Sequence, residues 1–273
     1  MDLPLPRTTI GVFDSGFGGL TVLRELLPLI PGAHYIYLGD TARLPYGSKS
    51  QTTIARYAVE SARFLESRGA DHLVIACNTA TALALPDIGA AVRIPVTGVI
   101  DPVVQMTHLH HPNADTLILA TTATVQSHAY RAFCEARGLH PTEKACPLLV
   151  PLIEEGWVDH PVTRDVLRVY LREALDICSP KVVILGCTHY PLIAPLVSAT
   201  LQELGSRAEV VDSARATAVE VSREFSPQSE DPASVRDASF KCYATDSVEK
   251  FARLGSQFLG QPIPQVELLD LGG

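Results

Sequence analysis

The chain has 273 residues, of which 47% are hydrophobic and 19% charged, and a net charge of −8. That length holds one large or two modest domains, and the composition is that of a chain with a sizeable core, not a disordered one. An acidic chain without a basic run is not built for nucleic acid or an anionic membrane, although local donors can hold a small acidic substrate against the global field.

The stretch "MDLPLPRTTI" has no apolar h-region, so no signal peptide is expected, and no apolar run approaches the ~18 residues of a membrane span. The expected compartment is the cytoplasm. There the six cysteines read as free thiols and not as a disulfide framework.

In chain order, the strand "TTIGVF" runs into the glycine-rich "DSGFGG", and the strand "HYIYLG" into "GDTARLPYGSKS". The amphipathic helix "QTTIARYAVESARFLESRG" precedes the strand "HLVIA", which ends in "ACNTA". A further strand, "PVTGVI", closes this first unit. A second unit opens near "DPVVQMTH". It has the strand "TLILA" ending in "LATTAT", the helix "VTRDVLRVYLREALDIC", the strand "KVVILG" ending in "GCTHYP", and the strand "AEVVD". "SPQSEDPASVRDAS" (Ser226 to Ser239) reads as a loop, and the tail from "FKCYAT" returns to regular structure. Most strands are continuous apolar runs, as in parallel sheets covered on both faces. The alternation predicts an α/β fold of two similar three-layer domains with mainly parallel sheets and the active site in the cleft between them. The expected boundaries are 1–100 plus 212–273 for one domain and 101–211 for the other.

Ligands in open α/β sheets bind beyond the carboxyl ends of the strands. Asp14, Ser15, Asp40, Tyr46, Gly47, Cys77, Thr121, Thr122, Thr124 and Cys187 all fall at or just past such ends. "DSGFGG" is a weak phosphate-loop candidate: it is not GxGxxG, has no Walker lysine, and puts Asp14 where phosphate would sit. Gly16, Gly18 and Gly19 read as a tight strand-to-helix turn. Asp14 reads either as a helix N-cap or as a carboxylate for a substrate ammonium or a nearby base.

A lone free cysteine is usually a small buried hydrophobe, and Cys134, Cys146, Cys178 and Cys242 read that way. Cys77 and Cys187 differ, because each ends a strand and precedes a helix, where the thiol pKa is expected to fall from about 8.5 towards neutrality. Pro191 suits the first turn of the second helix. A rival reading makes Cys77, Cys187 and His189 a three-ligand zinc site. There is no CxxC, and C-x-H is not a usual structural-zinc spacing. The cluster His108, His110 and His111 reads as a helix C-terminus favouring imidazolium. Two thiols on facing halves suit the inversion of a stereocentre, which needs a base on one face and an acid on the other.

"GVFDSGFGGLTV", "GDTARLPYGSKS", "ACNTATA" and "LGCTHYP", in that order and across nearly the whole chain, resemble the glutamate racemase family of the aspartate/glutamate racemase superfamily. The resemblance implies a cofactor-independent isomerase that interconverts L- and D-glutamate and supplies D-glutamate for peptidoglycan, and hence cell shape. It implies Cys77 and Cys187 as acid/base catalysts assisted by Asp14 and His189. It implies substrate-binding pairs at Asp14–Ser15, Tyr46–Gly47, Asn78–Thr79 and Thr188–His189. Thr121 joins these as a neutral donor. Glu154 matches an acidic position of the family, with Glu155 adjacent, and Asp40 fits a motif without a defined role. No metal and no pyridoxal phosphate are expected. The partner is a small-molecule substrate, not nucleic acid or membrane, and a homodimer is left open. The alternatives are an aspartate racemase, a thiol-dependent amide hydrolase using Cys187 and His189, and a non-catalytic sensor of acidic amino acids.

Overall fold

A computed structural model of the chain describes residues 8–225 and 238–271. The segment read as a loop from Ser226 therefore lies almost wholly outside the described residues; its last residue, Ser239, opens a strand. In chain order the elements are β1 (Thr9–Asp14), α1 (Leu20–Leu29), β2 (His34–Gly39), α2 (Gln51–Ser67), β3 (His72–Ile75), α3 (Asn78–Ala91), β4 (Val96–Gly98) and α4 (Ile100–His110). There follow β5 (Asp115–Ala120), α5 (Thr122–Ser127), α6 (Ala129–Glu135), β6 (His140–Ala145), α7 (Leu149–Glu154), α8 (Pro161–Leu175), β7 (Val182–Gly186), α9 (Ala194–Glu203), β8 (Glu209–Asp212) and α10 (Ser213–Glu224). The last are β9 (Ser239–Ala244), α11 (Val248–Leu259) and β10 (Val266–Leu268).

The strands form two all-parallel sheets, ordered β10-β9-β2-β1-β3-β4 and β6-β5-β7-β8. Parallel neighbours require crossover helices, and these cover the sheet faces. That is why β3 (HLVI) and β7 (VVILG) are buried along their full length and, but for His72 at the start of β3, apolar. β6 escapes a hydrophobic-run reading. Its sequence, HPTEKA, is half-buried and polar, because it is an edge strand paired only with β5 and tolerates Pro141 there. The tail supplies two strands to the first sheet: β9 pairs with β2, and β10 with β9.

Helix starts are set locally. Ser50, Thr121 and Asp212 cap α2, α5 and α10 with side-chain oxygens that accept from backbone N–H groups. Helix α10 packs on α1, and its Ala214, Ala218 and Val221 belong to one apolar cluster with Val12, Tyr37 and Phe258 on one side and Leu185, Tyr190 and Leu201 on the other. The two sheets thus share a core across their seam. Each large side chain buried there contributes about 1.5–3 kcal/mol.

Candidate active site

The loops after β1, β2, β3, β5 and β7 converge on one cavity of about 520 Å³. The first sheet contributes Ser15, Tyr46, Gly47, Cys77, Asn78 and Thr79 to its wall. The second contributes Thr121, Cys187, Thr188 and His189, with Glu154 and Glu155 at the end of α7. Asp14 and Asp40 are buried behind that wall and do not line it. The thiols of Cys77 and Cys187 enter from opposite sheets, and both residues are 5% exposed.

Cys77 is the N-cap of α3, with Sγ 3.5 Å from the backbone N–H of Ala80 and 3.5 Å from Oγ of Ser15. The expectation that a helix terminus draws this thiol towards neutrality is overturned. Burial pushes Cys77 up to about 12, Asp14 pushes the same way, and the hydrogen bonds with Ser15 and Ala80 do not offset them. Asp14 does not cap a helix either, since the N-cap of α1 is Gly19. One carboxylate oxygen of Asp14 accepts from the Gly16 backbone at 3.0 Å, and the other is buried without a partner. Burial raises its pKa above the usual carboxylate value, against the opposing pull of His189 and the backbone N–H groups of Gly19, Gly16 and Ser15.

Cys187 has a different neighbourhood. The chain leaves it through a short 3₁₀ turn, Tyr190–Ile193, with Pro191 in its first turn, so α9 starts well beyond the thiol. Nδ1 of His189 is 3.9 Å from Sγ of Cys187, and Nε2 is 3.2 Å from Oε1 of Glu154. Burial disfavours charge on the imidazole, but Cys187 and Glu154 outweigh it and hold the pKa at about 10. The rings of Phe17 and Phe258 pack against His189 at 5.9 and 5.0 Å. Phe17 belongs to the "DSGFGG" loop, whose glycines serve close approach. A Cβ on Gly18 would collide with Oγ1 of Thr188 and lie 2.5 Å from Nδ1 of His189.

The hydroxyls of Thr79, Thr121 and Thr124 form a triangle across the seam with edges of 3.0 to 3.2 Å. Both ends of the Asn78 carboxamide are held by protein: Oδ1 accepts from the Tyr130 hydroxyl at 2.6 Å, and Nδ2 donates to Oγ of Ser213 at 3.4 Å. Asp40 accepts from Nε of Arg43 at 2.8 Å, from the Tyr46 hydroxyl at 2.5 Å and from Thr245 at 2.9 Å. It anchors the loop that carries Tyr46 and Gly47 to the cavity.

Arg43, Thr245, Tyr130 and Ser213 carry no sequence signal for a site, because each acts through a contact made only in the fold. Cys146 is wholly buried, as a small hydrophobe would be, yet its residue forms part of the cavity wall; burial pushes its thiol up to about 12. Among the described residues no group of three or more His, Cys, Asp or Glu side chains could hold a metal ion. The C-terminal histidines of α4 lie away from the cavity, with His111 paired to Glu209 at 2.9 Å.

Residues 10–221 match the Asp/Glu/hydantoin racemase family. The chain is 47% identical to a glutamate racemase of Koribacter versatilis, over 98% of this chain and 99% of that one. Its fold is similar to the glutamate racemase of Thermus thermophilus, solved with β-chloro-D-alanine, at a TM-score of 0.84 and 38% identity over 97% of this chain and 98% of that one. It is also similar to the glutamate racemase of Francisella tularensis, solved with D-glutamate, at a TM-score of 0.84 and 31% identity over 97% and 98% of the two chains.

Proposed function

This chain belongs to the Asp/Glu/hydantoin racemase family, and from that premise we propose that it racemises glutamate with Cys77 and Cys187 as its two acid/base groups. The observation that carries the reading is the pair of thiols on opposite sheets, each at the end of a central strand and each on the wall of one cavity. Cys187 removes the α-proton of L-glutamate while Cys77 returns a proton to the other face, and the roles exchange for D-glutamate. The surroundings favour that starting state. Cys77 is held as a thiol by burial and by Asp14, whereas the imidazole of His189, kept charged by its neighbours, stands 3.9 Å from Sγ of Cys187 as a partner for proton transfer on that side.

The substrate's charges complete the site. Its ammonium, placed against Ser15 in front of the buried Asp14, offsets the negative charge that opposes ionisation of Cys77. Its carboxylates are taken by neutral donors, Thr79 and Thr121 at helix starts and Thr188 in the turn after β7, with the backbone N–H groups beside them. These donors also meet enolate-like charge as the proton leaves, in a site from which bound substrate displaces water. The Tyr46–Gly47 loop forms the outer wall. Among the described residues none that lines the cavity is a lysine, so these offer no Schiff-base partner for pyridoxal phosphate. The thiols provide both proton transfers without a cofactor.

We assign the two units as 1–100 plus 212–273 and 101–211, which the separate sheet memberships support. The product is D-glutamate for peptidoglycan. Among the described residues no helix is long and apolar enough to cross a membrane, and we place the enzyme in the cytoplasm, where it meets L-glutamate. The deciding experiment is circular dichroism of L-glutamate incubated with purified protein and no added cofactor. Loss of the signal to a racemic endpoint supports the reading. An unchanged signal, or release of ammonia from an amide substrate instead, overturns it.

A further inference from the structure

Tyr130 lies in α6, fully buried, and belongs to none of the groups assigned above. Its hydroxyl donates to Oδ1 of Asn78 at 2.6 Å. The ring lies against the end of β7, where a Cβ on Gly186 would be 3.0 Å from its Cε2 and 3.1 Å from the Leu119 carbonyl oxygen. Asn78 directly follows Cys77, and Gly186 directly precedes Cys187. One side chain therefore touches the chain neighbour of each thiol, one at the start of α3 beyond the first sheet and one at the end of β7 in the second.

We infer that Tyr130 is a positioning residue that sets the placement of Cys77 relative to Cys187 across the cleft, holding one through Asn78 and the other through Gly186. The inference rests on the two-thiol reading above. A tyrosine needed only for packing would have no use for its hydroxyl. Here the hydroxyl fixes the carboxamide of the first residue of α3, whose N-cap is Cys77. The other end of that carboxamide is tied to Ser213 at the start of α10, the helix that packs on both α1 and α4. Burial and the neighbouring thiols raise the Tyr130 pKa, so the hydroxyl remains a donor throughout the working pH range. At Gly186 the absence of a side chain lets the ring approach the strand closely.

The test is Tyr130→Phe, which keeps the ring against Gly186 and removes the hydroxyl with its bond to Asn78 and its interaction with Ser213. The carboxamide is then free to turn, and the Cys77 side of the site loses its register. The expected result is a kcat/KM lower by roughly 10-fold in both directions, the size of loss that small misplacements of reacting groups produce. The discriminating readout is the deuterium isotope effect on kcat/KM with α-deuterated substrates. Transfer at Cys77 becomes more fully rate-limiting, so the effect rises for D-glutamate and falls for L-glutamate. Ser213→Ala frees the other end of the same carboxamide and is expected to shift the isotope effects in the same sense. It is read alone if Tyr130→Phe does not accumulate as folded protein. Wild-type isotope effects on both sides in a folded variant, whatever its rate, would overturn the inference, as would a uniform loss with their ratio unchanged. If the wild-type protein does not racemise glutamate, the functional reading itself fails, and the isotope measurement does not arise.

Discussion

Nε2 of His189 lies 3.2 Å from Oε1 of Glu154, and this contact makes the surroundings of the two thiols unequal. On the Cys187 side a carboxylate backs an imidazole and favours its charge. On the Cys77 side the neighbour is itself an acid, Asp14, which opposes ionisation of the thiol. The fold is pseudo-symmetric and the electrostatics are not.

Glu154→Gln tests that inequality. Without the carboxylate, burial has less to oppose it, and the imidazole midpoint, followed by NMR, should fall from about 10 towards neutrality. The high-pH limb of the activity profile should move down with it. In the wild type the raised midpoint contributes stability that is fully present below the unfolded value of about 6.5 and is lost as pH rises through about 10. The variant should lose that stability at lower pH. A midpoint and profile that stay in place would show that Glu154 does not control His189.

In D₂O, early product from L-glutamate should be α-deuterated D-glutamate, while the remaining L-glutamate keeps its hydrogen. The donor thiol exchanges with solvent before turnover, and the abstracting thiol is a different group. Mass spectrometry of each enantiomer at low conversion reads this directly. Product that retains its original hydrogen would mean that one base serves both faces. Cys77→Ser and Cys187→Ser should each lower racemisation by about 10²–10⁴-fold, the contribution typical of a positioned acid or base, while glutamate binding persists.

Asp14→Asn should separate function from stability. The folded-state pKa of Asp14 lies above its unfolded value, so its ionised form opposes folding. That opposition is absent below the unfolded value near 3.8, grows as pH rises, and is complete above the folded value. At neutral pH the neutral amide should leave the urea midpoint no lower than in the wild type, while turnover falls roughly 10²-fold. A parallel loss of both would return Asp14 to a structural role.

Asp40→Asn should destabilise the protein by about 2 kcal/mol or more, because breaking a buried ion pair strands its partner. Arg43 is the stranded group, with its side chain 10% exposed. Glu60 at 2.5 Å and the face of Tyr57 at 4.2 Å hold part of the guanidinium in place. The Tyr46–Gly47 loop loses its anchor, so KM for glutamate should rise more than kcat falls. A wild-type KM would detach Asp40 from the site.

The central strands are legible in the sequence because they are apolar from end to end, and the residues that punctuate their carboxyl ends are those that meet in the cavity. Three things were not legible. The edge strand β6 has no apolar run, because half of its surroundings are solvent. The charge state favoured at Cys77 depends on Asp14, which is distant in sequence and becomes its neighbour only because β1 and β3 pair in the sheet. The carboxamide of Asn78 resembles a free ligand in sequence, yet it is held by Tyr130 and Ser213, which other elements bring to it.

The interleaving of the chain has a consequence during synthesis. The sheet β6-β5-β7-β8 has all its strands once residue 212 has been made, whereas the other sheet waits for β9 and β10 near the carboxyl terminus. Until then the outer edge of β2 has no partner, and its sequence, HYIYLG, is apolar. An unpaired apolar edge invites pairing with another chain. The last strands thus act as an edge guard, and a chain that stops before residue 239 carries both thiols but leaves the outer edge of β2 open to another chain.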